Sequence, residues 1–364
     1  MKLKFPFYLL FAVFTFGGFI SCSDDDVDPF SEKEEALAPI IPQYVNHTII
    51  ATYHSLAEAT VDLYEAMATL KANKTAANLQ TAINAWFASR AYWELSEAFL
   101  YGPASDFGID PHIDTWPLDE PAFNNTLGNA AFINSMNAPD GDLWAADHLG
   151  VSLLGFHGIE YILFREGKPK AIGDITTNEL IYAVAVAGDL RNQCIRLETA
   201  WAGEDEISGR SYGEEMLNAG KAGSRYRTVT HAATTIVQGC IDIADEVGEV
   251  KIGTAYGKDD VNYIESPYSF NSKVDFIDNI KSIENAYLGG VESHRGASLS
   301  QYIKDKNATL DTEVKAAIAN AIAKIEAIPY PFAINYASAE AGVAIGACQA
   351  LSGSLSKVKA ELEK

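Results

Sequence analysis

Apolar residues recur at intervals of three and four along most of the chain, which is the periodicity of amphipathic helices. The first two stretches with this pattern cover 44–70 and 76–100, and the second ends before the helix-breaking pair Gly102-Pro103. Few segments alternate apolar and polar residues with a period of two, so the sequence predicts an all-α protein in which strands are rare. The later predicted helices cover 143–164, 177–201, 214–247, 271–288, 310–327 and 332–359.

Two segments between these helices interrupt the pattern. Residues 102–126 contain four prolines among Gly, Asp and Asn residues and predict a long irregular connector. Its aromatic residues, Phe107, Trp116 and Phe123, argue against disorder. Residues 248–269 are also expected to form mostly loop.

The order of helices and breaks predicts two packed helical bundles. We place the N-terminal bundle at 36–205 and the C-terminal bundle at 206–364, with the junction near 202–212. Each half has a proline-containing connector between long helices. This is compatible with a pseudo-two-fold relation from an old duplication, but the similarity is too weak to count as a repeat.

The N-terminal residues have the pattern of an export signal. Two lysines precede the uncharged stretch 5–20, which is short for a membrane-spanning helix and leads into Ser21-Cys22. A small residue directly before a cysteine resembles the cleavage site of bacterial lipoproteins, although Phe19 stands where that site usually has leucine. We therefore expect residues 1–21 to be removed and Cys22 to carry lipid, with a plain secretory signal as the alternative.

Residues 22–35 predict a polar, acidic tether behind the lipid anchor. Its Ser-Asp-Asp-Asp tract resembles the acidic tract of Bacteroidetes lipoproteins that reach the cell surface. This resemblance implies an outer-membrane lipoprotein exposed on the cell surface, and a lipoprotein facing the periplasm is the alternative. In either place, lipid on Cys22 makes the membrane a partner.

The amino-acid composition limits the kinds of molecule that the protein is expected to bind. The chain of 364 residues has a formal net charge of −22 at pH 7, from 27 basic and 49 acidic residues. Such a surface repels nucleic acid and attracts cations, so we expect no nucleic-acid partner. The cysteines after Cys22 are Cys194, Cys240 and Cys348, all in apolar helical contexts where core packing is the default. A disulfide bond is possible outside the cytoplasm, but the sequence does not indicate which cysteines would form it.

The candidate chemistry centres on Gly155 to Glu160, with the sequence GFHGIE, in the helix predicted over 143–164. His157 and Glu160 are three residues apart, so an imidazole nitrogen and a carboxylate oxygen lie on one helix face. Gly155 and Gly158 in a helix interior would each cost about 1 kcal/mol relative to alanine, which suggests close approach of another backbone or a bound species. A satisfied His–Glu hydrogen bond and a metal site both explain the pair. No second histidine lies one turn away, which excludes the zinc-protease pattern.

This motif matches the Gly-x-His-x-x-Glu motif of the imelysin-like family, also called the M75 peptidase family, and other segments match the family in order. Residues 90–99 (RAYWELSEAF) resemble the end of its second long helix, and residues 114–119 (DTWPLD) resemble its Trp-Pro loop. Residues 266–269 (SPYS), with Asp275 and Asn279, resemble its second-half motif. The chain is therefore similar to this family over essentially the whole mature sequence.

The resemblance implies an all-helical fold of two bundle-like domains with the motif near their interface. Some members are named peptidases, and others are associated with iron uptake or with metal binding by the motif His and Glu and upstream acidic residues. It therefore implies a lipoprotein of iron or metal uptake that binds a metal or small ligand near the motif and works with uptake-system proteins.

Upstream carboxylates complete a candidate ligand set. Glu94 and Glu97 repeat the three-residue spacing, and a bundle can bring two such helices face to face. With Asp114 from the connector, the set offers one nitrogen and several carboxylates, which suits iron or another hard divalent or trivalent cation. Arg90, one turn before Glu94, could instead neutralise these acids, so metal binding and a buried hydrogen-bond network both stay open. The candidate metal ligands are His157, Glu160, Glu94, Glu97 and Asp114.

Two further functions stay open. An M75-type metallopeptidase needs three protein ligands, an open position for water and a general base, for which Glu160 and Glu94 are candidates. A non-catalytic module that binds haem, a glycan or a protein would use the cleft between the bundles. The aromatic candidates for lining that cleft are Trp93, Trp116, Phe123 and Tyr101.

Overall fold

The computed structural model describes residues 32–364. The predicted signal sequence 1–21, the predicted lipidation site Cys22 and most of the predicted tether 22–35 lie outside the described residues. Within 32–364, no helix is both long enough and apolar enough to span a membrane.

The N-terminal half consists of helices joined by short turns. Its α-helices are α1 (Glu32–Leu37), α2 (Ile40–Tyr44), α3 (Ala51–Ala72), α4 (Ala76–Glu94), α5 (Pro103–Asp106), α6 (Ile109–Ile113), α7 (Glu120–Gly128), α8 (Ala130–Met136), α9 (Gly141–His148), α10 (Gly155–Leu163) and α11 (Thr177–Ala202). A π-helical segment (Val45–Ile50) and the 3₁₀ turns Glu97–Phe99, Val151–Leu153 and Ile172–Asp174 lie among them.

The C-terminal half is also helical. Its α-helices are α12 (Tyr212–Leu217), α13 (Val229–Asp245), α14 (Gly253–Gly257), α15 (Ser272–Leu288), α16 (Leu299–Lys306), α17 (Ala308–Glu326), α18 (Phe332–Asn335) and α19 (Ala339–Leu362). A π-helical segment (Glu246–Ile252) joins α13 to α14, and a 3₁₀ turn (Glu292–His294) precedes α16.

Strand structure in the described part of the chain is one antiparallel pair, Phe164–Arg165 with Lys168–Pro169. The prediction of an all-α protein built from two helical domains is therefore confirmed. The boundaries 36–205 and 206–364 stay predictions, as does the pseudo-two-fold relation.

Side-chain caps determine where several of these helices begin. The Thr75 hydroxyl accepts a hydrogen bond from the backbone N–H of Asn78 at the start of α4. Thr176 and Glu179 form a capping box at the start of α11, in which each side chain accepts from the other's backbone N–H. Such a cap stabilises a helix by about 1 kcal/mol, so the residues next to each start determine where these helices begin.

The packing of the helices brings the motif to the contact between the two halves. In the N-terminal half, α3 packs against α4 and α11, and α10 packs against both α4 and α11. In the C-terminal half, α19 packs against α13 and α17. The halves meet where α15 packs against α4 and where Glu97–Phe99 packs against α13. The motif helix α10 therefore lies beside the interface through its contact with α4.

The connector 102–126 is more regular than predicted, because α5, α6 and most of α7 lie within it. Pro103 occupies the first turn of α5, after Gly102 with φ of +80°. At the start of α7, the Asp119 carboxylate accepts a hydrogen bond from the backbone N–H of Ala122. The first turn of a helix has no use for the N–H that proline lacks, so proline there starts a helix rather than breaking one.

The single helix predicted over 143–164 is wrong, because α9 ends at His148 and α10 begins at Gly155. Gly155 has φ of +69°, and a Cβ at this position would overlap the carbonyl oxygen of Ile113. Gly155 therefore lies at the start of a helix and not in its interior. The close backbone approach predicted from this glycine is confirmed.

The single helix predicted over 214–247 is also wrong. It divides into α12 and α13, and Gly220 and Gly223 lie between them with φ of +81° and +92°. The helical path then continues through Glu246–Ile252 and α14, so the first part of the loop predicted at 248–269 is helical.

The last predicted helix, 332–359, divides into α18 and α19. The Ser338 hydroxyl accepts a hydrogen bond from the backbone N–H of Ala341 and thereby caps α19. Helix α16 was not predicted. It has only eight residues, too few for a clear periodic pattern.

Candidate metal-binding site

Helix α10 places the motif side chains in the protein interior. His157 is 1% exposed and Glu160 is fully buried. The His157 Nδ1 atom lies 3.1 Å from Glu160 Oε2, as expected for two residues on adjacent turns of one helix face. A Cβ at Gly158 would overlap the Tyr182 hydroxyl, so α11 packs tightly against the opposite side of this helix.

The Glu160 carboxylate binds a loop of the C-terminal half. Its Oε1 atom accepts hydrogen bonds from the backbone N–H of Tyr268 (3.0 Å), the backbone N–H of Ser269 (2.8 Å) and the Ser269 hydroxyl (2.7 Å). Together with the contact to His157, these bonds occupy both carboxylate oxygens. Through these hydrogen bonds, Glu160 holds the loop between α14 and α15 against the motif helix.

The other face of His157 turns towards the connector. His157 Nε2 lies 3.2 Å from Asp114 Oδ1. The indole N–H of Trp93 donates a 2.7 Å hydrogen bond to Asp114 Oδ2. Trp116, two residues along from Asp114, lies with its ring centroid 6.2 Å from the imidazole. The connector and α4 thus supply one wall of the site.

Arg90 is the centre of the charge arrangement and is completely buried. Its guanidinium pairs closely with Asp114 and with Glu94, and Nη2 lies 2.7 Å from Glu265 Oε1. Its Nε atom lies 3.7 Å from Asp275 Oδ1. One arginine from α4 therefore contacts carboxylates from both halves of the protein.

Lys251, from the π-helical segment of the C-terminal half, is the second buried cation and is 1% exposed. Its Nζ atom lies 3.0 Å from Glu265 Oε1, 3.4 Å from Glu94 Oε2 and 3.8 Å from Glu97 Oε1. We call these side chains together the buried cluster. Its members are Arg90, Glu94, Asp114, His157, Lys251, Glu265 and Asp275.

The electrostatics of the buried cluster shift several pKa values. Burial opposes charge on His157, but its contacts with the carboxylates of Asp114 and Glu160 outweigh burial and raise its pKa to about 9. Burial alone would raise the pKa of Asp114, yet the Arg90 guanidinium and His157 hold it well below its usual range. For Glu265, burial dominates over the nearby cations and raises the pKa to about 7. The carboxylates of the cluster therefore differ in pKa, which lies below the usual range for Asp114 and above it for Glu265.

Several atoms of the buried cluster lack a hydrogen bond. The carboxylate oxygens Glu265 Oε2 and Asp275 Oδ2 are both buried in this state. Buried polar atoms are normally satisfied, and each exception calls for an explanation. Glu265 and Asp275 belong to one group of carboxylates whose ligand atoms lie within 4.8 Å of one another, and closely spaced acceptors without donors are the arrangement expected where a cation binds.

Three overlapping groups of side chains have the spacing of metal ligands. In each group, one ligand atom per residue lies within 4.8 Å of the others. The groups are Asp114 with His157 and Glu265, Glu94 with Glu97 and Asp114, and Glu94 with Glu265 and Asp275. The first offers one nitrogen and two carboxylates, a set that suits hard or borderline divalent cations.

The structure therefore brings four of the five sequence-predicted ligands into these groups: His157, Asp114, Glu94 and Glu97. Glu160 belongs to none of them; its Oε1 atom accepts hydrogen bonds from the loop, and its Oε2 atom contacts His157 Nδ1. Arg90 makes the ion pair considered from the sequence, here with several carboxylates at once.

Sequence reasoning missed Glu265 and Lys251 and did not assign Asp275 a ligand role. Glu265 immediately precedes the Ser266–Ser269 segment that resembles the family's second-half motif, and this proximity was the available signal. Lys251 had no signal, because it lies in a segment predicted as loop. Both contacts depend on how the C-terminal half packs onto α4.

The aromatic residues proposed for a cleft separate into two sets. Trp93 and Trp116 border the buried cluster, where Lys251 Nζ lies 5.4 Å from the Trp116 ring centroid. Phe123 packs instead against Tyr161 and Tyr182, with ring centroids 5.0 Å away in each case. Tyr101 shares a 2.8 Å hydrogen bond with Tyr44, away from the cluster. The cysteines Cys194, Cys240 and Cys348 are buried free thiols.

Comparison with known proteins identifies the family. The family profile of peptidase M75, described as imelysin, matches residues 49–358. The chain is 30% identical over 306 residues to iron-regulated protein A of Synechococcus elongatus, covering 84% of this chain and 80% of that protein.

Two crystal structures resemble the whole fold. An iron-regulated protein A precursor from Parabacteroides distasonis has a TM-score of 0.81 and 31% identity, covering 90% of this chain and 95% of that one. An imelysin-like protein from Psychrobacter arcticum has a TM-score of 0.62 over 90% of this chain and 92% of that one, and at 12% identity it shows the fold alone. The profile match, the curated relative and the first of these structures agree, and the chain belongs to the imelysin family.

Proposed function

We propose that this protein binds iron, or another hard divalent or trivalent cation, in the buried cluster between its two halves. The observation that carries the proposal is the meeting of Asp114, His157 and Glu265, whose ligand atoms lie within 4.8 Å of one another. They come from the connector, the motif helix and the C-terminal loop, so a cation held there would bind both halves together.

The charge balance supports the same proposal. Within the buried cluster, Arg90, Lys251 and the protonated His157 face four carboxylates, so acidic groups formally outnumber basic groups by four to three. A cation would offset this excess and satisfy the buried acceptor atoms that lack hydrogen bonds. The four carboxylates belong to Glu94, Asp114, Glu265 and Asp275.

Glu160 has a supporting role in this proposal. By fastening the backbone of Tyr268 and Ser269, it holds the loop that carries Glu265 against the motif helix. Residues that orient metal ligands commonly change affinity 10–100-fold when they are replaced, so about that effect is expected here. Glu160 is thus a positioning residue.

The names of the relatives support a role connected with iron. Iron-regulated protein A of Synechococcus elongatus covers most of this chain, and the Parabacteroides distasonis protein is described by the same name. We infer that this protein also serves iron or metal uptake, and that it passes its cargo to uptake-system proteins.

The proposed location is the outer membrane, with lipid on Cys22 and exposure on the cell surface. Replacement Cys22→Ser is expected to move the protein from the membrane fraction to the soluble fraction. Protease added to intact cells should remove the wild-type protein if it faces outward. Protection of the protein in intact cells, with loss after the outer membrane is opened, would indicate the periplasmic side.

Binding is favoured over peptide hydrolysis by the burial of the site. Asp114, His157 and Glu265 are at most 3% exposed, whereas a hydrolytic metal needs an open position for water and substrate. The candidate base Glu160 already accepts hydrogen bonds through both oxygens. The burial of these side chains also favours a small cation over a haem or a glycan, which needs a larger open pocket.

The proposal is tested by titrating the mature protein with iron(II) without oxygen, and with manganese and zinc. The wild type should bind one cation tightly, and His157→Gln and Glu265→Gln should each weaken binding at least tenfold. His112→Gln is a matched control, because His112 Nε2 also pairs with a carboxylate, Asp189 at 2.8 Å, outside the cluster. Equal binding by the wild type and the cluster variants would sink the proposal.

A further inference from the structure

A groove of about 960 Å³ lies on the surface where the two halves meet. It is bounded by the first turns of α3, the end of α4, the second half of α15 and the loop that follows α15. Its charged and histidine side chains are His54, Lys281, Glu284, Glu292, His294 and Arg295. No side chain of the buried cluster lines this groove, and its volume is typical of sites for small molecules. The groove is therefore a separate candidate site.

The loop after α15 forms one wall of the groove and is held in place by the N-terminal half. Gln43 Nε2 donates hydrogen bonds to the carbonyl oxygens of Gly289 (2.9 Å) and His294 (2.7 Å). The backbone N–H of Val291 donates to the carbonyl oxygen of His47 at 2.9 Å. Because these bonds order the loop before any ligand arrives, binding would cost little further ordering.

Arg295, in this loop, is a half-buried cation that forms no ion pair within residues 32–364. Its Nη1 atom donates to the carbonyl oxygens of Glu284, Asn285 and Gly290, and Nη2 donates to Asn285 Oδ1 at 3.1 Å. Its Nε atom donates to no acceptor in the described chain. The guanidinium thus caps the end of α15 with one side and leaves free the Nε side, which can bind a carboxylate through two N–H groups.

The pKa of Arg295 agrees with this missing partner. Burial lowers its pKa, and the charges of Glu284 and Glu292 do not offset this effect. In Arg210, by contrast, hydrogen bonds with Glu215 raise the pKa despite burial. An anion in the groove would therefore stabilise the charge of Arg295, which the protein itself leaves without an ion pair.

Asn285 is a second donor without a partner in the groove. It is only 8% exposed and lines the groove beside Arg295. Its Oδ1 atom accepts the bond from Arg295 Nη2, but Nδ2 donates to no acceptor among the described residues. Buried amide groups normally find acceptors, so this exception calls for an explanation. An oxygen ligand in the groove would satisfy the amide and the neighbouring guanidinium together.

The groove also offers acceptors. Glu284 and Glu292 line it, and neither forms an ion pair in the part of the chain that the structure describes. Lys281 lines it too, but its ammonium pairs with Asp278 at 2.9 Å. The unpaired groups are therefore one guanidinium and two carboxylates, which suit a ligand that carries a carboxylate together with hydrogen-bond donors.

We propose that this groove binds a small organic acid whose carboxylate pairs with Arg295 and Asn285 and whose hydroxyl or ammonium group donates to Glu284 or Glu292. Hydroxy acids and amino acids share this chemistry. The inference goes beyond the proposed cation-binding function and does not depend on it. Because both halves line the groove, a bound acid would contact both of them.

Calorimetric titration of the purified mature protein with citrate and with glutamate tests the proposal. Metal-free buffer ensures that citrate does not act by removing a cation. We expect the wild type to bind at least one of the two acids. Arg295→Lys keeps the charge but removes the paired N–H groups, so it should weaken binding at least tenfold. Lys281→Met should weaken binding about threefold, because it removes a positive charge from the groove.

Lys315→Met is the matched control and should bind the acids as the wild type does. The Lys315 side chain is 45% exposed and pairs with Asp311 at 2.8 Å, whereas that of Lys281 is 47% exposed and pairs with Asp278 at 2.9 Å. Lys315 does not line the groove. Equal weakening in Lys315→Met and Lys281→Met would show a general charge effect and would overturn the site.

The remaining outcomes are also decisive. Binding of glutamate alone would assign the groove to amino acids, and binding of citrate alone would assign it to hydroxy acids. Failure of the wild type to bind either acid, or equal binding by the wild type and Arg295→Lys, would overturn the proposal. If circular dichroism shows that Arg295→Lys is unfolded, Lys281→Glu must weaken binding at least tenfold, and unchanged binding there would overturn the site.

Discussion

Two arginine-centred charge networks in this protein use similar residues in different surroundings. In the buried cluster, Arg90 is fully buried and contacts Asp114, Glu94 and Glu265. On the surface, Arg210 is 36% exposed and its guanidinium binds Glu215 at 3.0 Å and Asp106 at 2.9 Å.

The two networks differ in balance as well as in burial. The surface network has two arginines, Arg210 and Arg225, for the carboxylates of Asp106 and Glu215, and the Tyr212 hydroxyl also donates to Asp106. It needs no further cation, and water can compensate its charges. The buried cluster has more acids than bases and contains acceptors without hydrogen bonds. A buried excess of charge is costly to keep, which indicates that it serves a function rather than stability.

The largest contrast is expected from removing the central arginine of the buried cluster. Arg90→Met should lower the free energy of unfolding by about 3–5 kcal/mol, because it leaves buried carboxylates without their partner. Urea denaturation at pH 7 in the absence of metal measures this loss. A loss below about 1 kcal/mol would show that the buried cluster behaves like a surface ion pair.

The next effect is a pH dependence that the surface network lacks. The pKa of His157 is raised from 6.5 to about 9 in the folded protein, so the proton on His157 stabilises the fold fully below pH 6.5. That stability is lost as the pH rises from 6.5 through 9, up to about 3 kcal/mol in total. We expect the stability difference between the wild type and His157→Gln to shrink over this range in metal-free urea titrations. A difference that stays constant from pH 6 to pH 9.5 would contradict the assigned pKa.

A smaller effect is expected when Glu160 is neutralised. Glu160→Gln keeps the shape of the side chain but weakens its charge-assisted bonds to Tyr268 and Ser269, at a cost of about 1–2 kcal/mol. Hydrogen exchange should show faster exchange of these two backbone amides in metal-free protein. Glu120→Gln is the control, since Glu120 accepts only the exposed hydroxyl of Tyr268, at 2.9 Å. Equal exchange in Glu160→Gln and the wild type would remove Glu160 from its positioning role.

The smallest effect belongs to the surface network. Arg210→Met should cost at most about 1 kcal/mol, because solvent and Arg225 compensate the carboxylates that remain. The cost should fall further in 1 M salt, which screens exposed charges. A loss comparable with that of Arg90→Met would erase the distinction between the two regions.

The sequence predicted the long helices and missed the breaks within them. Periodicity located α3, α4, α11 and α15 because each buries one face over many turns. The break before Gly155 could not be read from the sequence, because the positive φ there depends on contact with the carbonyl of Ile113. In the connector 102–126, Pro103 and Asp119 begin helices, but proline and aspartate are equally common in irregular segments, so the sequence pattern does not separate the two.

The sequence predicted the part of the candidate site that the motif helix and α4 contribute. His157, Glu94 and Asp114 were selected because their chemistry and spacing suit a cation. Glu265 and Lys251 are more than ninety positions from the motif, and no pattern along the chain links them to it. The sequence predicted Glu160 as a ligand because the residues near it in the chain do not indicate its hydrogen bonds. These come from Tyr268 and Ser269, which are distant in sequence.

The sequence by itself determined the helical fold, the family and the position of the motif, because periodicity, caps and motif spacing are local properties of the chain. It also carries the predictions for 1–21 and Cys22, which lie outside the described residues. Tertiary structure alone decided which acids share one buried space, which cations oppose them and which acceptors lack partners. Those features depend on distances and burial created when α15 and the loop before it pack onto α4, and these are properties of the folded interface rather than of any segment.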